Sequence, residues 1–175
     1  MKKLRGYTLI ELIIATGLFA LIMLLASGAY LIMIGLERQT QGIATGIDNL
    51  SFAIETMTRD IRTGSTYNCA GLGDCSAGRD SFTFMPSGSG TTVTYALGTQ
   101  PAPNDAIQGI TKDGAMLTDP SVDITSLTFY VAGTSKSDNA QPHVTITISG
   151  EVLYGHGKSE TFHIETGATM RGTDL

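Results

Sequence analysis

The chain has 175 residues, enough for one domain and an anchor, with 42% hydrophobic residues and a formal charge of −5. Three of its eleven basic residues, Lys2, Lys3 and Arg5, precede position 6, so residues 7–175 carry 8 basic against 16 acidic groups. That acidic body argues against a nucleic-acid backbone as the main partner, because phosphate binding needs Lys and Arg gathered on one face.

From Leu12 to Leu36 no charged side chain occurs. Twenty-five residues at 1.5 Å each give about 37 Å of helix, enough to cross a hydrocarbon core of about 30 Å with some tilt. The basic residues before the segment place the N-terminus in the cytoplasm and the C-terminal part outside, by the positive-inside rule. Glu11 is the one ionisable group that does not fit. A carboxylate in a spanning helix costs about 2.5–3.5 kcal/mol at mid-bilayer and less near the interface, so it calls for a function and a partner. Two ordinary readings compete. A secretory signal could be cleaved near Ser27-Gly28-Ala29, although the apolar run continues past it to Leu36. A plain signal anchor would leave Glu11 reaching for the interface. No cysteine stands near the segment to make it a lipoprotein.

The run Lys2-Lys3-Leu4-Arg5-Gly6-Tyr7-Thr8-Leu9-Ile10-Glu11-Leu12-Ile13-Ile14 resembles the leader and cleavage site of type IV prepilins and pseudopilins. In that family a basic leader ends in Gly, an aromatic residue follows, and a Glu stands five positions into the mature chain. The resemblance implies that a prepilin peptidase cuts between Gly6 and Tyr7 and methylates the new amine of Tyr7. It implies lipid around the helix before assembly, and other pilin or pseudopilin subunits around it afterwards. Two positions depart from the pattern: Tyr7 replaces the commoner Phe, and Gly28 stands where many major pilins carry a helix-bending Pro. Cleavage would remove three positive charges and create one amine, with which Glu11 is expected to pair on a neighbouring subunit. In a low-dielectric bundle such a pair offsets two desolvation costs and fixes axial register.

Beyond Leu36 the apolar residues Ile43, Ile47, Leu50, Ile54, Met57 and Ile61 recur every three or four positions, one stripe of an amphipathic helix. Asp48, Asn49, Ser51, Glu55, Arg59 and Arg62 fill its other side, with Glu55 and Arg59 at a favourable i,i+4 spacing. Gly42 and Gly46 predict a bend or local unwinding, and Gly64 a stop. The predicted helix covers residues 7–63.

Residues 65–80 show no periodicity but hold both cysteines, Cys69 and Cys75. Outside the cytoplasm they are expected to form a small-loop disulfide worth about 2 kcal/mol; the alternative is a free thiol pair. Thereafter the period becomes two. Phe82 and Phe84 alternate with polar neighbours, as do Val93, Tyr95 and Leu97. Leu127, Phe129 and Val131 share one face, and Val144, Ile146 and Ile148 give the cleanest strand signal. Val152 and Tyr154, then Phe162 and Ile164, frame a hairpin through Gly155-His156-Gly157.

These elements predict an α+β fold: a long N-terminal helix, transmembrane then amphipathic, packed on a C-terminal antiparallel sheet. Pilins share that design. The expected divisions are a leader at 1–6, a membrane or filament-core helix at 7–36, its amphipathic continuation at 37–64, and an extracytoplasmic β-rich domain at 65–175. The runs 53–62, 124–130 and 143–171 are further similar to minor pseudopilins of the J type in type II secretion and to PilW-like minor pilins, which implies a minor subunit near the filament tip.

No nucleophile-elbow, phosphate-loop, zinc-protease or dinucleotide motif occurs, so no enzyme activity and no cofactor are expected. His143 and His163 could meet across neighbouring strands to share a metal, but solvent-facing positions suit them better, and His156 falls in a turn. Asp119, Asp123, Asp138 and Asn139 do not have the spacing of a Ca²⁺ loop, and no metal site is assigned.

Overall fold

A computed structural model describes residues 6–69, 71, 73–135, 140–154 and 157–171. Among the described residues one helix, α1, runs from Leu9 to Thr63, followed by nine strands: β1 (Gly64–Asn68), β2 (Cys75–Arg79), β3 (Ser81–Pro86), β4 (Val93–Thr99), β5 (Gln108–Lys112), β6 (Ala115–Met116), β7 (Val122–Ala132), β8 (His143–Leu153) and β9 (Ser159–Thr169). The architecture is α+β, and the chain forms two compact units, Met1–Thr40 and Gln41–Leu175.

Within the second unit the strands make two antiparallel sheets rather than the single sheet expected. The first has the order β1-β3-β4-β5-β6, the second β2-β7-β8-β9. Phe82 and Phe84 on β3 and Tyr95 on β4 point inward from the first sheet; Leu127, Phe129 and Val131 on β7 and Val144, Ile146 and Ile148 on β8 point inward from the second. They meet in one core, where the Phe82 ring stacks on Phe129 with centroids 5.5 Å apart. A register shift in β7 between Ile124 and Ser126 changes the phase of its alternation. An extra residue there lets Val122 and Ile124 face the same core as Leu127, Phe129 and Val131.

The C-terminal part of α1 buries Gly46, Leu50, Ala53, Met57 and Ile61. This line is narrower than the expected stripe: Ile43 and Ile54 are half-buried and Ile47 is exposed. Small residues explain the rotation. A Cβ on Gly46 would lie 2.3 Å from Val152 Cγ1, and one on Gly42 would lie 2.7 Å from Tyr154 Cβ. Both glycines therefore let β8 and the chain just after it run close against the helix backbone. The expected unwinding does not occur, since α1 stays helical through both positions. It ends at Thr63, as Gly64 predicted, and Gly64 opens β1 under the Phe84 ring.

Polar contacts fix the register of helix on sheet. Asp60 accepts hydrogen bonds from Lys112 Nζ at 2.6 Å and Tyr95 Oη at 2.7 Å. Burial works to raise the Asp60 pKa, but the two hydrogen bonds and the charges of Lys112 and Arg59 outweigh it, leaving the group below 3.8. The same burial and the Asp60 carboxylate push the Tyr95 phenol upward. A depressed carboxylate stabilises the fold above its unfolded pKa, and that contribution is lost as pH falls through the folded value. Asp60→Asn is thus expected to cost about 1–2 kcal/mol at pH 7, a range reduced for the partial exposure of both partners. Urea titrations at pH 7 and pH 3 check it: the difference between wild type and variant should shrink at the lower pH. Glu55 and Arg59 do not pair; among the described residues the ion pair is Lys112 with Asp60.

Candidate functional site

The segment that carries the sequence motif lies at the start of α1. Gly6, Tyr7 and Thr8 precede the first helical residue, Leu9, and all three are exposed. Residues 1–5, the basic part of the motif, lie outside the described residues. The Gly6–Tyr7 peptide bond is therefore not locked in helical hydrogen bonds. A Cβ on Gly6 would meet nothing within 4 Å, so the chain's own packing places no demand for glycine there.

Thr8 caps the helix. Its Oγ1 accepts from the Glu11 backbone N–H at 3.4 Å, and its carbonyl accepts from Leu12 N–H at 3.2 Å. Thr8-Leu9-Ile10-Glu11 is thus an S/T-x-x-E capping sequence, a role that the reading of Glu11 as a membrane-embedded charge passed over. The helix dipole favours a carboxylate in the first turn, which lowers the cost of placing Glu11 ahead of an apolar segment. Its side chain is exposed.

From Leu12 to Leu36 every described side chain but Ile34 is exposed, including Phe19, Leu24, Tyr30 and Met33. The helix is long and apolar enough to cross a membrane, and none of its most apolar 18-residue window is buried. Such a surface is stable only against lipid or other helices. The two hydroxyls best placed to disturb it are satisfied within the helix: Thr16 Oγ1 donates to Leu12 O at 2.9 Å, and Ser27 Oγ to Met23 O at 2.7 Å. Gly17, Gly28 and Gly35 fall within about 20° of one line along the helix at 100° per residue, and a Cβ on any of them would meet nothing. That line gives another helix room for close approach.

The cysteines form a disulfide, Cys69–Cys75, with Cα atoms 6.1 Å apart. It is buried beside Phe129 and closes the turn between β1 and β2. Tyr67, just before it, donates its hydroxyl proton to the Ile61 carbonyl near the end of α1, and burial pushes its pKa up to about 12.

The histidines do not converge. His143 Nδ1 lies 2.9 Å from Thr169 Oγ1, and His163 Nδ1 lies 2.8 Å from Ser149 Oγ. Positions 143 and 149 are six residues apart on β8, about 20 Å along the strand. Both rings are exposed, and His156 lies outside the described residues. The Ser149–His163 pair carries no carboxylate partner among the described residues, so it lacks the third member of a triad. Asp119 and Asp123 accept backbone N–H bonds from Ser121 and Gln108, and Asp138 and Asn139 are outside the described residues. No group of three His, Cys, Asp or Glu among the described residues could hold a metal ion.

A family model described as the prokaryotic N-terminal methylation motif matches residues 1–27. That match supports a type IV pilin-like chain whose leader is a substrate for prepilin peptidase, and a structural rather than an enzymatic protein. With the exposed apolar helix it also supports membrane anchoring. No curated protein and no solved structure matches the chain.

Proposed function

We propose that this chain, which opens on a methylation motif and an unburied apolar helix, is a subunit of a type IV pilus or a type II secretion pseudopilus. The observation that carries the proposal is the coincidence of three features within 30 residues. A Gly6–Tyr7 bond outside the helix stands before it, an exposed Glu11 stands in its first turn, and an apolar surface left unburied among the described residues follows.

In this reading prepilin peptidase cuts after Gly6 on the cytoplasmic side of the inner membrane and methylates Tyr7. Methylation keeps the amine charged. The subunit waits in the bilayer with residues 7–36 across it and the β-rich part, from residue 65, outside. During assembly the helix leaves lipid for a bundle of like helices. Removal of Lys2, Lys3 and Arg5 spares the bundle three buried charges, and Glu11 compensates the new amine of an adjacent subunit. The likeness of residues 53–62, 124–130 and 143–171 to J-type and PilW-like subunits favours a minor subunit. A membrane-tethered binding domain that never polymerises is the rival reading.

Glu11→Ala separates the two. The variant is expected to insert into membranes at wild-type level and to fall at least about tenfold in sheared-filament fractions, the loss of one buried charge pair. Equal recovery in filaments would remove Glu11 from its assigned part.

A further inference from the structure

Residues 41–175 carry seven basic against fourteen acidic side chains. Three of the seven, Arg59, Arg62 and Arg171, line one open pocket of about 330 Å³ together with Glu55, Thr58 and Thr63. The pocket is built by the fold. The Arg171 backbone N–H donates to the Arg62 carbonyl at 2.9 Å, which ties the segment after β9 to the last turn of α1. Thr58 and Thr63 donate their hydroxyls back to helix carbonyls, to Ile54 O at 2.9 Å and to Asp60 O at 3.2 Å. Their protons are thus committed, and the guanidinium groups are the donors left to face a ligand. None of the three arginines lies within ion-pair distance of a carboxylate among the described residues. Asp60, next in sequence to Arg59, is taken by Lys112. With Glu55 in its lining, the pocket keeps a formal surplus of two positive charges.

Three like charges gathered on an otherwise acidic surface repel one another, and an anion relieves that repulsion. Guanidinium forks match carboxylates two bonds at a time. The choice between a nucleic acid and a protein follows from the surroundings. A duplex presents phosphates over a long track, and outside the pocket residues 41–175 carry thirteen acidic against four basic groups, so repulsion dominates. A short run of carboxylates fills the pocket without that penalty. We propose that this pocket binds an acidic peptide segment of a neighbouring protein chain. A second copy of this chain is one such neighbour, given its own acidic surface. The site belongs to residues 41–175 alone and stands whether or not the chain enters a filament.

The test uses the full chain in dodecyl maltoside micelles at low salt, with fluorescein-labelled hexaglutamate as the probe and anisotropy as the readout. Saturable binding is expected, weakened at least about tenfold in the Arg59→Gln/Arg62→Gln/Arg171→Gln variant and unchanged in Arg79→Gln/Lys158→Gln. An unaltered thermal midpoint in the triple variant shows that the loss is local, and Arg→Lys at the same three positions should recover part of the affinity. Several results would overturn the proposal: no saturable binding, equal binding by the triple variant, displacement by inorganic phosphate at the concentration of hexaglutamate itself, or tighter binding of a 20-base-pair duplex.

Discussion

Phe82→Ala is expected to destabilise the β-rich part by about 3–5 kcal/mol, the range for deleting a fully buried aromatic side chain. Phe82 has no exposed surface and holds three rings together: Tyr67 at 5.4 Å edge-on, Phe84 at 5.7 Å and Phe129 at 5.5 Å. Phe82 and Phe84 belong to the first sheet and Phe129 to the second, so the alanine cavity opens at the seam between the sheets. Domains are stable by only about 5–15 kcal/mol, so this loss takes a large share of the margin. Phe82→Leu keeps most of the volume and should cost about 1.5 kcal/mol or a little more. Urea unfolding followed by tyrosine near-ultraviolet circular dichroism measures both. A cost below about 1 kcal/mol for the alanine variant would show that the two sheets are not joined through this ring.

Gly46→Leu should be comparably damaging, although helix propensity argues the other way. Replacing a mid-helix glycine by leucine or alanine ordinarily gains up to about 1 kcal/mol. Here the first added carbon would stand 2.3 Å from Val152 Cγ1 and 3.1 Å from its Cγ2, and Val152 is itself buried. Helix and strand must then separate, which costs about 1–3 kcal/mol for one overpacked group and more for leucine's further atoms. Gly46→Ala is therefore expected to destabilise despite its better propensity. Adding Val152→Ala should recover part of the loss, a coupling that independent sites would not show. Stabilisation by Gly46→Ala alone would mean that propensity outweighs the close approach.

The two glycines also mark where the sequence was hardest to read. Mid-helix glycine signals weakness to a reader of propensities, and only the identity of the neighbour across the gap, Val152 or Tyr154, reveals close packing instead. Ala53 was passed over for the same reason: it is fully buried, yet a stripe drawn from large apolar residues omits it. β8 was legible because Val144, Ile146 and Ile148 alternate without interruption, and β3 because Phe82 and Phe84 do. β7 was legible only in part, since the bulge at residues 124–126 moves Val122 and Ile124 out of phase with Leu127. β5 gave no signal. Gly109, Ile110 and Thr111 are consecutive and all buried, so alternation never develops. In the N-terminal segment the leader pattern is legible directly, while the cap formed by Thr8 is masked in the sequence because its S/T-x-x-E partner, Glu11, also stands at the edge of the apolar run. Two physical roles meet at Glu11: it is a favourable first-turn acid, and in the proposed assembly it is the carboxylate that pairs with a second chain.

Assembly in the proposed form requires cleavage of the bond before Tyr7. Intact-mass analysis and N-terminal sequencing of the protein extracted from membranes should find a chain that begins at methylated Tyr7, without its first six residues. A chain that keeps Met1 and its basic leader, or one that starts near Tyr30 after loss of the apolar helix, would contradict it.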